Sequence, residues 1–152
     1  TGRCIFGKDI VNEIIDKAKE CDGFIFGTPV YYAHPSGRIL SILDRVFYAG
    51  GKNFAYKPAS AVAIARRSGT TATLDVLNKY FTINNMPVVS STYWNNAFGA
   101  VADDVKQDEE GLLIMRTVAK NMAWLLKCIE SGKKNGIDIP QSEKRVFTNF
   151  IK

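Results

Sequence analysis

Residues 23–37 read Gly23-Phe24-Ile25-Phe26-Gly27-Thr28-Pro29-Val30-Tyr31-Tyr32-Ala33-His34-Pro35-Ser36-Gly37. The apolar run at 24–26 indicates a strand, and Ser36 is placed to cap a helix whose apolar face is Ile39, Leu40, Leu43, Val46 and Phe47. Between them lies a loop that prolines restrict and in which tyrosines offer ring faces. In an open α/β sheet such a loop lies at the carboxyl end of a strand, where flat ligands bind. The alternative is an ordinary connection with two surface tyrosines.

The rest of the chain repeats this alternation. Apolar runs at 60–65 and 87–91 predict further strands, and apolar spacing predicts helices at 9–20, 36–48, about 71–84 and 108–131. Strands that are apolar at consecutive positions are typical of sheets with helices on both faces. The order therefore predicts one α/β domain with a doubly wound parallel sheet, followed by a tail at 137–152.

Composition narrows the class of protein. The 152 residues are 46% hydrophobic and 23% charged, which is enough to bury a core. The net charge of +5 comes from dispersed cations, a pattern that fits an anionic cofactor and argues against nucleic acid as a partner. No apolar run approaches the ~18 residues of a membrane span, so no membrane partner is expected.

Three widely separated cysteines, Cys4, Cys21 and Cys128, form no CxxC pair. This spacing indicates neither a metal site nor a redox dithiol, and it favours a cytoplasmic, reducing location. We expect Cys21 and Cys128 to pack in the core as small apolar residues.

Loops that follow parallel strands meet at one edge of the sheet. The predicted strands are followed by loops at 28–36, 66–71 and 92–99, of which two are aromatic and one is basic at a helix start. A helix N-terminus favours an anion or an electron-rich oxygen. Together the loops suit a planar, polar, partly negative ligand. His34 has no evident carboxylate partner in the sequence, so we expect a surface or structural role for it and name no catalytic acid or base.

The segment Gly27-Thr28-Pro29-Val30-Tyr31-Tyr32, with Pro35-Ser36-Gly37 and Leu43-Asp44-Arg45, resembles the flavodoxin-like NAD(P)H-dependent FMN reductases, including their iron-sulfur flavoprotein branch. The resemblance covers roughly residues 1–129. It implies FMN as cofactor and NAD(P)H as co-substrate, with hydride passing to bound FMN and on to an acceptor. It also implies a homodimer or tetramer. The implied cofactor-binding residues are Thr28, Pro29, Val30, Tyr31, Tyr32, Arg66, Arg67, Ser68, Gly69, Thr70, Tyr93, Trp94 and Asn95.

The sequence departs from that family in two respects. The phosphate-binding turn of the family and the βαβ unit that contains it are absent, so we expect a domain truncated at its N-terminus. Only Cys4 matches the cluster cysteines of the iron-sulfur branch, so a cluster requires cysteines upstream. The alternative function is a flavodoxin-like module that has lost FMN and binds a partner. A one-electron flavodoxin is a third reading, disfavoured because those proteins tend to be acidic.

Overall fold

In the computed structural model, which describes residues 2–144, 146–148 and 150, four strands form one sheet. These are β1 (Phe24–Tyr31), β2 (His34–Pro35), β3 (Ala59–Ala65) and β4 (Asn96–Phe98), in the order β2-β1-β3-β4. β1, β3 and β4 are parallel, with Phe24 opposite Ala59 and Ala63 opposite Asn96. The short β2 runs antiparallel to the end of β1. The predicted parallel α/β sheet is thus confirmed, with an antiparallel strand added at one edge.

The helices are α1 (Val11–Lys17), α2 (Gly37–Gly50), α3 (Thr70–Ile83), α4 (Ala102–Val105) and α5 (Glu109–Lys134), and a 3₁₀ turn follows α2 at Gly51–Asn53. Ser36 caps α2 by accepting the N–H of Arg38 at 3.2 Å, as the sequence predicts. Asp108 caps α5 through the N–H of Gly111 at 2.9 Å. The helix predicted at 9–20 is shorter than expected. The Asp9 carboxylate accepts the Val11 N–H just before the helix begins, and after Lys17 the chain continues in turns, with the Lys19 N–H bonded to the Asp16 carbonyl at 3.1 Å.

The strand predicted at 87–91 is wrong. Val88 makes only an isolated bridge to Ala59, and the edge strand is β4, further along the chain. The Val89 N–H does bond to the Ala59 carbonyl at 2.8 Å, but the next carbonyl, of Ser90, accepts from Asn121 on α5 instead. The chain therefore leaves the sheet and rejoins it where the Ala63 N–H donates to Asn95.

The main core lies between α1, α2, α3 and one face of β1 and β3. Phe54, Phe81, Leu77, Ile15 and Val46 are completely buried there. Phenylalanine rings pack together in this core: the centroid of Phe54 lies 4.8 Å from that of Phe24 and 4.7 Å from that of Phe47. Small residues of β3, such as Ala61 and Ala63, let the rings approach the sheet closely.

The opposite face of the sheet is covered by α5 only in part. Ile25 of β1 is 54% exposed and Ile64 of β3 is 39% exposed, although both were expected to be covered. Among the described residues, no strand lies beside 24–29 on the edge of β1 that faces away from β3. The prediction that Cys21 and Cys128 pack in the core is wrong, since both are exposed thiols.

The tail adds no helix or strand over its described residues 137–144, 146–148 and 150. Arg145, Asn149, Ile151 and Lys152, like Thr1, lie outside the described residues. Within the described part of the chain, no helix combines the length and the apolar character needed to cross a membrane.

Candidate functional site

The loop after β1 is a strained hairpin. Val30 pairs with Pro35 and Tyr31 with His34, which leaves Tyr32 and Ala33 as the turn. Both turn residues have left-handed backbone, with φ of 51° and 57°. A turn with positive φ at both central residues normally carries Asn or Gly, so Tyr and Ala are held here against their preference. The result is that Tyr32 is fully exposed and Tyr31 is 60% exposed.

Thr28 connects the two ends of this hairpin by hydrogen bonds. Its side chain is buried, and its hydroxyl accepts the Ser36 N–H at 3.2 Å and donates to the Pro29 carbonyl at 3.0 Å. His34 contacts the Pro35 carbonyl through Nδ1 and, among the described residues, has no carboxylate partner. Thr28 therefore acts on the loop itself, while the two tyrosines face solvent.

The loop after β3 packs directly against this hairpin. Gly69 has φ of +89°, and a Cβ there would lie 2.5 Å from the Cα of Ala33. Thr70 is buried and its hydroxyl accepts from Asn96 at 3.2 Å, which ties the start of α3 to β4. Arg66, Arg67 and Ser68 are exposed. Gly69 thus brings the tyrosine turn and the basic turn into one surface at the carboxyl edge of the sheet.

The third predicted segment lies elsewhere on the sheet. Tyr93, Trp94 and Asn95 precede β4 instead of following a strand, because the edge strand begins only at Asn96. Tyr93 and Trp94 form an edge-to-face pair with centroids 4.7 Å apart, and each is about half exposed. The Asn95 amide donates to Ser60 at 2.9 Å and accepts from Ser91 at 2.8 Å. It therefore ties the segment between Val89 and β4 to β3.

The segment that does follow β4 at the carboxyl edge is 99–101. The Gly99 N–H bonds to the Ala65 carbonyl at 3.0 Å, and the N–H groups of Ala100 and Val101 bond to the Asp104 carboxylate. The predicted loop at 92–99 includes Gly99 but misses Ala100 and Val101, because the third strand was predicted to end at Ser91 and ends at Phe98 in the structure. Gly99 directly after an apolar Ala97-Phe98 pair is the signal that marks it.

A separate groove of about 1070 Å³ lies between the N-terminal segment, α2 and α3. On its wall Arg45 donates to the Cys4 sulfur at 3.2 and 3.3 Å, to the Phe6 carbonyl at 3.3 Å, and to the Asp9 carboxylate. The Arg45 hydrogen bond holds the pKa of the Asp9 carboxyl below its usual range. Arg45 thus fastens the N-terminal segment to α2.

Tyr80 borders the same groove and donates a short hydrogen bond to Asp44. Burial, and then the neighbouring Asp44 carboxylate, raise the pKa of the Tyr80 phenol above its usual 10.0. Because the fold favours the neutral phenol, its contribution to stability is present below pH 10 and is lost as the pH rises beyond that.

We predict that Tyr80→Phe flattens the fall in unfolding free energy above pH 10, compared with the unchanged chain. Urea unfolding at several alkaline pH values measures this, and the phenolate absorbance of the two chains gives the titration of Tyr80 by difference. A Tyr80 that ionises with the exposed tyrosines would contradict the expectation.

The described residues contain no group of three His, Cys, Asp or Glu side chains that could bind a metal ion. A single half-buried thiol, Cys4, cannot hold an iron–sulfur cluster.

Comparison with known proteins agrees with the fold and with the first loop. Residues 2–100 match the family model described as NADPH-dependent FMN reductase. An iron-sulfur flavoprotein of Methanocaldococcus jannaschii is 32% identical over 137 residues, which cover 85% of this chain and 70% of that protein. An iron-sulfur flavoprotein of Methanosarcina thermophila is 27% identical and spans 86% of this chain and 69% of its own length.

Among solved structures, the Trp repressor binding protein of Bacillus subtilis superposes with a TM-score of 0.58 at 17% identity, covering 77% of this chain and 72% of that one. At this identity the likeness speaks for the fold, which is flavodoxin-like. The resemblance drawn from the Thr-Pro-Val-Tyr-Tyr loop is confirmed by the family match and by the identity to the archaeal relative. The chain belongs to the NADPH-dependent FMN reductase family, in its iron-sulfur flavoprotein branch.

Proposed function

We propose that this chain is an FMN-dependent oxidoreductase that takes hydride from NAD(P)H and delivers electrons to an acceptor. The observation that carries the proposal is the contact between the loops after β1 and β3, where Gly69 meets Ala33 and joins an aromatic turn to a basic one. Family membership supports the cofactor and the reaction class. The further relatives bear the name iron-sulfur flavoprotein, which supports a flavin here as well.

The described residues fit the ring end of FMN. Tyr31 and Tyr32 are exposed on a turn that the β1–β2 pairing and Gly69 hold in place, and aromatic rings bind other flat ring systems by stacking. Beside them, Gly69 starts α3 without a side-chain cap, so N–H groups of the first helical turn are free to donate to an electron-rich oxygen. Arg66 and Arg67 add positive charge for the phosphates of a nucleotide.

FMN supplies the redox chemistry when it is bound, because its ring accepts two electrons and a proton from a reduced nicotinamide and can pass them on. The residues of this chain bind and orient the two ring systems. His34 lies in the hairpin at this edge and contacts the Pro35 carbonyl through Nδ1, and we assign it no role in proton transfer. Pro29, Val30 and Ser68 contribute to the surface through the loops they belong to. Tyr93, Trp94 and Asn95 lie outside the contact between the two loops. We propose that these residues, with Tyr48 and Phe98, contribute to the interface of a homodimer or tetramer. Gel filtration measures the oligomeric state.

The proposal predicts that the protein binds FMN and that Tyr32→Asn weakens this binding about 2- to 10-fold, the value of one aromatic contact. Asn tolerates positive φ, so the turn is kept and only the ring is removed. Quenching of flavin fluorescence during titration gives the affinity, and bleaching of bound flavin on anaerobic addition of NADPH or NADH tests the reaction.

Tyr48→Ala is the matched control, because Tyr48 is an equally exposed tyrosine on α2, 96% accessible, and it lies outside both loops. Its FMN affinity should equal that of the unchanged chain. A protein that neither quenches flavin fluorescence nor retains FMN would refute the enzyme and support the module that binds a partner without a cofactor.

A further inference from the structure

The middle of α5 carries basic residues and no acidic ones. No Asp or Glu occurs between Gly111 and Ile129, which is most of the helix. Arg116, Lys120 and Lys127 lie in this stretch and are exposed. In the described part of the chain, none of these three side chains makes a hydrogen bond or an ion pair. Their charges are therefore available to a partner.

Helical geometry brings these cations onto one side of α5 together with exposed apolar residues. At about 100° and 1.5 Å per residue, five exposed side chains fall within an arc of about 80° and a length of about 21 Å. They are Leu113, Arg116, Lys120, Trp124 and Lys127, which we call the outer face of α5. Leu113 is 50% exposed and Trp124 is 67% exposed. The buried residues of the helix, such as Val118 and Met122, lie on its other side.

A cavity of about 420 Å³ opens at one end of the outer face. Trp124 and Lys127 line it from the helix, and Ile137, just after the helix, contributes to the lining. The Ile137 N–H donates to the Gly132 carbonyl at 2.9 Å, which turns the chain back against the end of α5. The cavity thus combines apolar side chains with one cation. It suits an apolar side chain whose neighbours in the partner are acidic.

We propose that the outer face of α5 binds an acidic, amphipathic segment of another protein. Asp or Glu side chains of that segment pair with the three cations, and one of its apolar side chains enters the cavity beside Trp124. Charge complementarity of this kind speeds association and selects among partners, and Trp is one of the residues that contribute most to protein interfaces.

The proposal goes beyond the proposed function, because this end of α5 is remote from the cofactor loops. Leu126, next to Lys127, lies beside Gly23 just before β1 begins, and its Cδ2 is 3.4 Å from where a Cβ of Gly23 would be. The cofactor loops, by contrast, follow the ends of the strands. FMN binding and partner binding can therefore be measured separately.

Other occupants fit the outer face less well. A second copy that paired through α5 about a two-fold axis would bring one cationic face against an identical one. A nucleic-acid backbone would neutralise the cations but leave the apolar cavity unfilled. A helix that lies on an anionic membrane inserts a broad apolar side, whereas Leu113 and Trp124 stand about three turns apart.

Panning a displayed library of random peptides on the full chain tests the proposal. The enriched peptides should be rich in Asp and Glu and carry an apolar residue among them. A synthetic copy should bind the triple variant Arg116→Gln, Lys120→Gln, Lys127→Gln at least about tenfold more weakly, because charge-assisted contacts are lost. Trp124→Ala should weaken binding by about tenfold with no change of charge. Fluorescence anisotropy of the labelled peptide gives each affinity.

The matched control removes the same charge from other parts of the surface. Lys8, Lys17 and Lys79 are exposed and lie outside α5. The triple variant Lys8→Gln, Lys17→Gln, Lys79→Gln should therefore bind the peptide within about twofold of the unchanged chain. Circular dichroism and FMN titration should give the same result for all these variants, since the substituted side chains are exposed and lie outside the cofactor loops.

Several results would overturn the proposal. Enriched peptides that lack acidic residues, or that bind the α5 triple variant as tightly as the control, would place docking elsewhere. A dimer in gel filtration that the α5 triple variant abolishes would assign the outer face to a second copy. Binding of phosphatidylglycerol vesicles that depends on the same three cations, with no acidic peptide enriched, would assign it to a membrane. A chain that binds the peptide but no FMN would defeat the proposed function alone.

Discussion

Phe54→Ala should lower the free energy of unfolding by about 3–5 kcal/mol, the usual range for removing a buried phenylalanine. Phe54 is completely buried between the 3₁₀ turn after α2 and the start of β3. Its ring packs against those of Phe24 and Phe47, at 4.8 and 4.7 Å between centroids. Truncation leaves a cavity that these stiff rings cannot close, because Phe47 also packs against Phe26 at 5.9 Å.

Phe6→Ala is the control for this variant. Phe6 is 64% exposed, and its ring has the Arg45 guanidinium 5.2 Å from its centroid. An exposed cation–π contact contributes no more than about 1 kcal/mol, so Phe6→Ala should cost less than that. Urea unfolding followed by circular dichroism compares the two. Similar losses for both variants would mean that the ring cluster is not the centre of stability.

The same core explains how much of the fold the sequence predicts. Apolar runs at Phe24-Ile25-Phe26 and in Ala59–Ala65 stand out because strands of a covered parallel sheet are apolar throughout. Ser36 and Asp108 mark the starts of α2 and α5 by local side-chain chemistry. These features depend only on residues that are neighbours along the chain, so they can be recognised in one sequence.

What the sequence does not predict is set by contacts between distant segments. Val88 and Val89 have the composition of a strand, yet the Ser90 carbonyl is taken by Asn121, more than thirty residues away, and the strand shifts to Asn96–Phe98. No local pattern encodes that hydrogen bond. The exposure of Cys21 and Cys128 has a similar origin, since it depends on which parts of the segment after α1 and of α5 other elements cover.

The candidate site also has one part that the sequence predicts and one part that it does not. The aromatic loop after β1 was predictable from its prolines and tyrosines, but its hairpin was not. Tyr32 and Ala33 adopt φ of 51° and 57° without the Gly, Asn or Asp that normally marks such a turn. Neighbouring structure holds them in this conformation: β2 pairs with β1, and Gly69 closes against Ala33. Which of the proposed residues contact FMN stays a prediction, and Gly69 is where it can be tested most strongly.

Gly69→Ala should weaken FMN binding by at least about tenfold and destabilise the fold by about 1–3 kcal/mol, the cost of one residue in an unfavourable backbone conformation. At φ of +89° an L side chain is strained, and its Cβ would lie 2.5 Å from the Ala33 Cα, which is backbone and cannot rotate away. The turn that carries Tyr31 and Tyr32 must therefore move, and the exposed tyrosines move with it.

Two further variants separate the causes. Gly37→Ala is the matched control, because no atom lies within 4 Å of a Cβ there and the position has no positive φ, so binding and stability should stay as they are. Gly69→Asn tolerates a left-handed backbone better but keeps the Cβ, so it should regain stability while FMN binding stays weak. Fluorescence titration and urea unfolding on the same samples decide the matter. If Gly69→Ala binds FMN as tightly as the unchanged chain, the ring of FMN does not depend on the contact between these loops, and the proposed site must be placed elsewhere on the sheet.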